Sequence, residues 1–148
     1  MALKVAIASD HGGFELKRKI VELLIELEIE YEDFGSYTKD SVDYPDYAFL
    51  VGSKVANKKF DRGILVCGTG VGISIAANKV KGVRCALVHD VFTAKATRQH
   101  NDSNVLAMGG RIIGDGLALM IVKTWLEEEF VGEHHVSRVN KITKYETN

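Results

Sequence analysis

A cysteine followed by alternating glycines is the stretch of this chain best suited to chemistry: residues 67–72 read Cys-Gly-Thr-Gly-Val-Gly. Upstream, Gly63 to Val66 has the apolar character of a buried strand; downstream, Ile73, Ala76, Ala77 and Val80 recur at helical spacing. Gly68, Gly70 and Gly72, with Val71 among them, therefore occupy a strand-to-helix turn whose free backbone N–H groups face whatever lies above it. Such donors, backed by the positive end of a helix dipole, suit a phosphate or a developing oxyanion. A thiol set beside them, Cys67, has its thiolate form favoured. The pattern is not the dinucleotide fingerprint, which needs a further Gly one position later, nor a P-loop, which needs Lys-Ser/Thr after the last Gly. Close helix-to-strand packing around a small buried thiol asks for the same residues, so the turn alone leaves both uses open.

The elements that must position this turn follow from periodicity. Lys4 to Ser9 is apolar without alternation, as a parallel strand covered on both faces should be. It ends in Asp10-His11-Gly12-Gly13, and Leu16, Ile20, Leu23, Leu24 and Leu27 then mark an amphipathic helix with a charged outer face. Glu30 to Phe34 is a short strand. A polar stretch leads to Asp43-Tyr44-Pro45-Asp46, with Pro45 well placed for a first helical turn and Tyr47 to Ala56 as helix. After the glycine turn come a strand over Val83 to His89, a helix over Asp90 to Asn101, a strand over Val105 to Met108, the turn Gly109-Gly110-Arg111, and a helix from Asp115 to Phe130. A weakly amphipathic tail over 132–148 closes the chain and is expected to pack on a neighbouring subunit.

Strands alternating with helices predict a single-domain, three-layer α/β/α sandwich around an open parallel sheet of about five strands, Rossmann-like. In such sheets ligands bind beyond the carboxyl ends of the strands. That rule selects Ser9 to Gly13, Cys67 to Gly72, His89-Asp90 and Gly109 to Arg111.

The totals narrow the partners. The 148 residues carry 19 basic and 20 acidic side chains, a formal charge of −1, which leaves no overall electrostatic footprint for nucleic acid or an anionic membrane. No apolar run is long enough to span a bilayer, and the amino terminus shows no signal-peptide pattern. Cys67 and Cys85, expected in adjacent strands, lack CxxC spacing and a zinc-like Cys/His set, so free thiols and a cytoplasmic location are expected.

Five motifs in order, Ser9-Asp10-His11-Gly12-Gly13, Asp43-Tyr44-Pro45-Asp46, Cys67 to Gly72, Arg98-Gln-His-Asn101 and Gly109-Gly-Arg111, resemble those of the B-type ribose-5-phosphate isomerases. The wider family includes galactose-6-phosphate isomerase subunits, and the likeness runs from Lys4 to about Lys144. It implies interconversion of ribose 5-phosphate and ribulose 5-phosphate through an enediolate, without metal or cofactor. It implies Cys67 as the base, Thr69 as a proton relay between the two oxygens, and His100 as the acid-base group that opens the sugar ring. Asp10 and His11 would touch the sugar, with Tyr44 nearby; Asn101 would bind substrate; Arg111 and Arg138 would hold the phosphate, for which a guanidinium fork is suited.

The chain departs from the family pattern at His134, where an Arg is frequent, and this is expected to relax the phosphate grip toward six-carbon or unphosphorylated sugars. The resemblance also implies a homodimer, able to pair into a tetramer, whose pocket draws on two chains. An isomerase of six-carbon sugars or their 6-phosphates, and a phosphate- or nucleotide-binding module without chemistry, are the competing readings.

Overall fold

Arg62–Cys67 takes the middle of the sheet, and its sequence explains why: Gly63-Ile-Leu-Val66 offers apolar side chains to both faces, and all six residues of the strand are buried. The computed structural model describes residues 2–147. Its strands are β1 (Lys4–Ser9), β2 (Glu30–Asp33), β3 (Arg62–Cys67), β4 (Cys85–Leu87) and β5 (Val105–Gly109). They form one sheet in the order β2-β1-β3-β5-β4, with every neighbouring pair parallel. The helices are α1 (Phe14–Glu26), α2 (Tyr44–Ala56), α3 (Val71–Ala77), α4 (Val91–Asn101), α5 (Asp115–Glu127) and α6 (His135–Glu146).

Successive side chains of a strand point to opposite faces, and the core divides accordingly. Val5, Ile7, Ile64, Val66, Leu106 and Met108 pack beneath α1, α4 and α5, with Trp125 wholly buried there. Ala6, Ala8, Leu65, Cys67 and Ala107 pack beneath α2 and α3. The expected three layers and five parallel strands are therefore present. From β1 the chain steps one way to β2 and the other way to β3, so the switch point, where such sheets leave a crevice, lies between the ends of β1 and β3.

Four local features differ from the sequence expectation. Cys67 and Cys85 are not on adjacent strands, because β5 inserts between β3 and β4; both are free thiols, and burial pushes that of Cys85 up to about 12. The carboxyl-terminal tail, weakly amphipathic by pattern, forms a full helix, α6, whose Glu146 accepts a hydrogen bond from the Gly82 N–H at 3.0 Å. The helix α5 ends at Glu127 rather than Phe130, since α4 captures the next residue, with Arg98 Nε donating to Glu128 O at 3.2 Å and Gln99 Nε2 to Glu128 Oε2 at 2.9 Å.

The fourth concerns Lys17, which belongs by pattern to the charged face of α1 yet is 1% exposed. Its ammonium donates to Asp33 Oδ1 at 2.9 Å and to the Ser36 carbonyl. The same loop is tied to the end of β1 by Ser9 N–H to Gly35 O and Ser36 N–H to Ser9 O, both 2.7 Å. A buried lysine paired with a half-buried carboxylate thus braces the segment next to Asp10.

Ile64 at the sheet centre is fully buried, so Ile64→Ala should cost about 2–5 kcal/mol through lost burial and a residual cavity. Urea unfolding should show a lower midpoint with an unchanged slope.

Candidate active site

Cys67 closes β3 with its side chain 4% exposed, directed under the turn that follows. The Gly70 N–H donates to Cys67 Sγ at 3.1 Å, a backbone dipole that stabilises negative charge on sulfur. Gly70 can do this because its φ is +79°, a conformation that favours glycine, and because a Cβ there would meet the Met108 carbonyl carbon at 2.7 Å. Thr69 is exposed, and its Oγ1 accepts from the Val71 N–H at 3.2 Å, closing a short turn just ahead of α3. The amides of Gly70 and Val71 are therefore engaged, whereas those of Gly68, Thr69 and Gly72 find no acceptor among the described residues.

The neighbouring strand ends close around this cradle. Gly110 N–H donates to Cys67 O at 2.8 Å and Arg111 N–H to Gly68 O at 3.0 Å, and the Arg111 guanidinium lies against Gly68, where a Cβ would stand 3.1 Å from Nη1. Asp10, 6% exposed, accepts from the Gly13 N–H at 3.1 Å and so caps the single 3-10 turn His11–Gly13. His11 Nδ1 accepts from the Val42 N–H at 3.2 Å, binding the loop before α2 to the site and leaving the other ring nitrogen free. Tyr44 at the start of α2 covers Gly72, where a Cβ would lie 2.6 Å from Cζ. One chain therefore brings together Cys67, Gly68 to Gly72, Asp10, His11, Tyr44 and Arg111.

His100, Asn101, His134 and Arg138 stand elsewhere. The helix α4 runs back along the sheet, so its last residues lie by the amino-terminal ends of the strands; Asn104, just after it, accepts from the Gly63 N–H at 2.8 Å. From Gly63 to Cys67 the strand advances about 13 Å, and that length separates the two groups within a chain. At the far end, exposed His100 stacks on His135 with ring centroids 4.3 Å apart, and His135 meets the exposed His134 at 4.0 Å. Arg138 lies one turn along α6; burial first, then the neighbouring His134, His100 and Arg138, hold His135 below the ordinary histidine range, against the pull of Glu133. Asn101 opens onto a groove of about 870 Å³ between β4 and α6, lined by Leu87, Ile142 and Tyr145 among others.

Two contributors escaped sequence reasoning. His135 is the middle ring of the histidine stack. His89, in the turn beyond β4, accepts through Nε2 from the Gly109 N–H at 2.9 Å. Only the placement of β4 beside β5 reveals that contact, and strand order is not written in periodicity.

Fold and site together define a doubly wound α/β protein with a thiol-and-amide cradle at its switch point, flanked by an arginine and a carboxylate. Comparison with known proteins narrows this class. A model of the Ribose/Galactose Isomerase family matches residues 5–142. Escherichia coli ribose-5-phosphate isomerase B is 48% identical over 143 residues, covering 97% of this chain and 96% of that protein. The structure of Clostridium thermocellum ribose-5-phosphate isomerase B superposes with a TM-score of 0.96 at 50% identity, covering 98% of each chain. That of Mycoplasma genitalium ribose-5-phosphate isomerase B with bound ribulose 5-phosphate gives 0.95 at 45% identity, covering 100% of this chain and 99% of the other. The chain belongs to the Ribose/Galactose Isomerase family. No helix among the described residues is long and apolar enough to cross a membrane.

Burial holds His89 below the ordinary histidine value of 6.5, against the opposing pull of Asp90. A depressed folded-state value means that stability is present above the unfolded value and lost as pH falls through the folded one. Unfolding midpoints should therefore drop between pH 7 and pH 5 in the wild type. They should drop less in His89→Gln, whose amide oxygen accepts from Gly109 without titrating.

Proposed function

We propose that the chain interconverts D-ribose 5-phosphate and D-ribulose 5-phosphate, with Cys67 as the base. The observation that carries this is the buried sulfur of Cys67 receiving the Gly70 N–H inside a cradle that still has amides to spare. On open-chain ribose 5-phosphate, Cys67 thiolate takes the proton from C2, and the electron pair moves to O1 to give the enediolate. The amides of Gly68, Thr69 and Gly72 stabilise the charge that develops on oxygen. Thr69 Oγ1 carries a proton from O2 to O1, and the Cys67 thiol returns its proton to C1, leaving the C2 ketone and the thiolate. Asp10, His11 and Tyr44 hold the sugar, and Arg111 flanks the cradle as one arm of the phosphate grip.

Ring opening falls to His100, and phosphate binding also to His134 and Arg138, with Asn101 on the substrate. These four lie a strand's length away from Cys67, so the reading requires a homodimer in which the second chain supplies them. Support for a dimer face comes from exposed apolar side chains on the β4 side: Val71 and Ile75 of α3, Leu87, Phe92, and Ile142 and Tyr145 of α6. A cytoplasmic location goes with this reading, because the proposed substrates are small phosphorylated sugars.

In chelator-treated enzyme, Cys67→Ala should abolish conversion of ribose 5-phosphate while the wild type turns over. Retained activity in the variant would remove the thiol from the mechanism; an inactive wild type would refute the substrate. The shared site has its own test, in which Cys67→Ala and His100→Asn proteins, each inactive on the ring form, are unfolded together and refolded. Statistical pairing leaves one intact site in each mixed dimer, restoring about a quarter of wild-type activity. A site built within one chain would restore none.

A further inference from the structure

A second cavity, of about 190 Å³, lies at the opposite end of the sheet from Cys67, where β3, β4 and β5 begin. Lys58, Arg62, Arg84 and Arg98 line it, against only two carboxylates, Asp61 and Asp102. Both carboxylates have other obligations. Asp102 is shared by Arg84 Nη2 at 3.3 Å and Arg98 Nη1 at 2.9 Å, and Asp61 Oδ2 accepts the Lys4 N–H at 2.8 Å.

Arg62 is the group left over. It is 8% exposed, its guanidinium lies 5.1 Å over the Trp125 ring, and Nη1 donates to Trp125 O at 3.0 Å. Its remaining donors find no acceptor, and it forms no ion pair, among the described residues. Its spare donors are not sealed off, since no Arg62 nitrogen is among the buried side-chain polar atoms left without a partner; they open into the polar cavity, where an anion can reach a guanidinium already packed on an aromatic ring. Burial first, then the neighbouring Arg98, bring Arg62 down to about 10, although Asp102, Asp61 and Glu129 pull the other way.

We propose that this cavity is a second anion site, in which Arg62, with Arg84, Arg98 and Lys58 at its walls, binds a phosphate group. Its volume is below the roughly 300–1,000 Å³ of pockets that enclose drug-sized ligands, so the occupant is inorganic phosphate or the phosphate end of a small metabolite. A planar five-donor fork held rigid against an aromatic ring is pre-organised for tetrahedral oxyanions. The site is separate from the isomerase chemistry and does not depend on that reading, because no residue of the cradle lines it. An occupant would also brace the segment Arg98 to Asp102, which carries His100 and Asn101.

Trp125 is the only tryptophan of the chain, and its indole N–H donates to Ser103 Oγ at 3.0 Å, so its fluorescence and its indole amide resonance report on the cavity floor. The experiment titrates inorganic phosphate, and in a second arm ribitol 5-phosphate, into the intact protein carrying Cys67→Ala, with chloride matched for ionic strength. A saturable change in the Trp125 signal is expected, with a dissociation constant near or below about 1 mM. It should be unchanged by Arg138→Ala and weakened about tenfold or more by Arg62→Gln. Lys58→Asn, at an exposed position with φ +67° that Asn tolerates, provides a variant that keeps the fold if Arg62→Gln does not, and should weaken binding several-fold. Tighter binding of ribitol 5-phosphate than of phosphate supports a metabolite as the occupant, and equal binding supports free phosphate. No saturable change, or one abolished by Arg138→Ala and indifferent to Lys58→Asn and Arg62→Gln, overturns the proposal.

Discussion

The turns that follow β3 and β5 touch backbone to backbone, and the rest of the site hangs on that contact. A Cβ at Gly109 would come to 2.5 Å from the Thr69 carbonyl carbon, so no side chain can stand between them. Pressed together, the two turns exchange the Gly110 and Arg111 amides for the Cys67 and Gly68 carbonyls. That exchange satisfies backbone acceptors that would otherwise be buried alone, and it fixes the turn in which Gly70 faces sulfur. It also sets the Arg111 guanidinium beside the cradle without a dedicated support. The glycines at this end of the sheet thus meet a packing requirement and, at Gly70, let a backbone N–H face the sulfur, so the residue pattern alone leaves both uses open.

The sheet's length divides the candidate residues into two groups that no rearrangement of one chain would merge. Cys67, Asp10, His11, Tyr44 and Arg111 stand at the carboxyl ends of the strands, while His100, His134 and Arg138 gather where α4 ends and α6 begins. Each group is internally ordered: the first by backbone hydrogen bonds, the second by stacked imidazoles. The edge strand β4, with only one neighbour in the sheet, lies on the side where Leu87 and Phe92 are exposed.

Much of this was legible in the sequence, because parallel strands and amphipathic helices announce themselves by period. The rule that ligands bind beyond strand ends picked out the turns that the structure clusters, and Cys67, Asp10 and Arg111 came from it or from the motif resemblance. What stayed hidden depends on adjacency. Inserting β5 between β3 and β4 separates Cys67 from Cys85 and brings His89 to Gly109, and hydrophobic periodicity is the same for either strand order. Lys17 was hidden for another reason: its partners, Asp33 and Ser36, lie in a different segment, and a lysine on a helix reads as solvated until a half-buried carboxylate and a carbonyl are found for it. The helical tail was muted because few of its apolar residues are buried, leaving Val139 as the one buried residue of α6.

The position of β5 also sets an order of assembly as the chain is made. The first three strands form a contiguous β2-β1-β3 unit, complete once residue 67 is available. The next strand, β4, pairs only with β5, and so has no hydrogen-bonding neighbour until residues 105–109 have been added. During synthesis the segment around Cys85 must therefore wait, uncommitted, for a strand about twenty residues behind it, and that interval is when a chaperone or a wrongly paired neighbour can reach it.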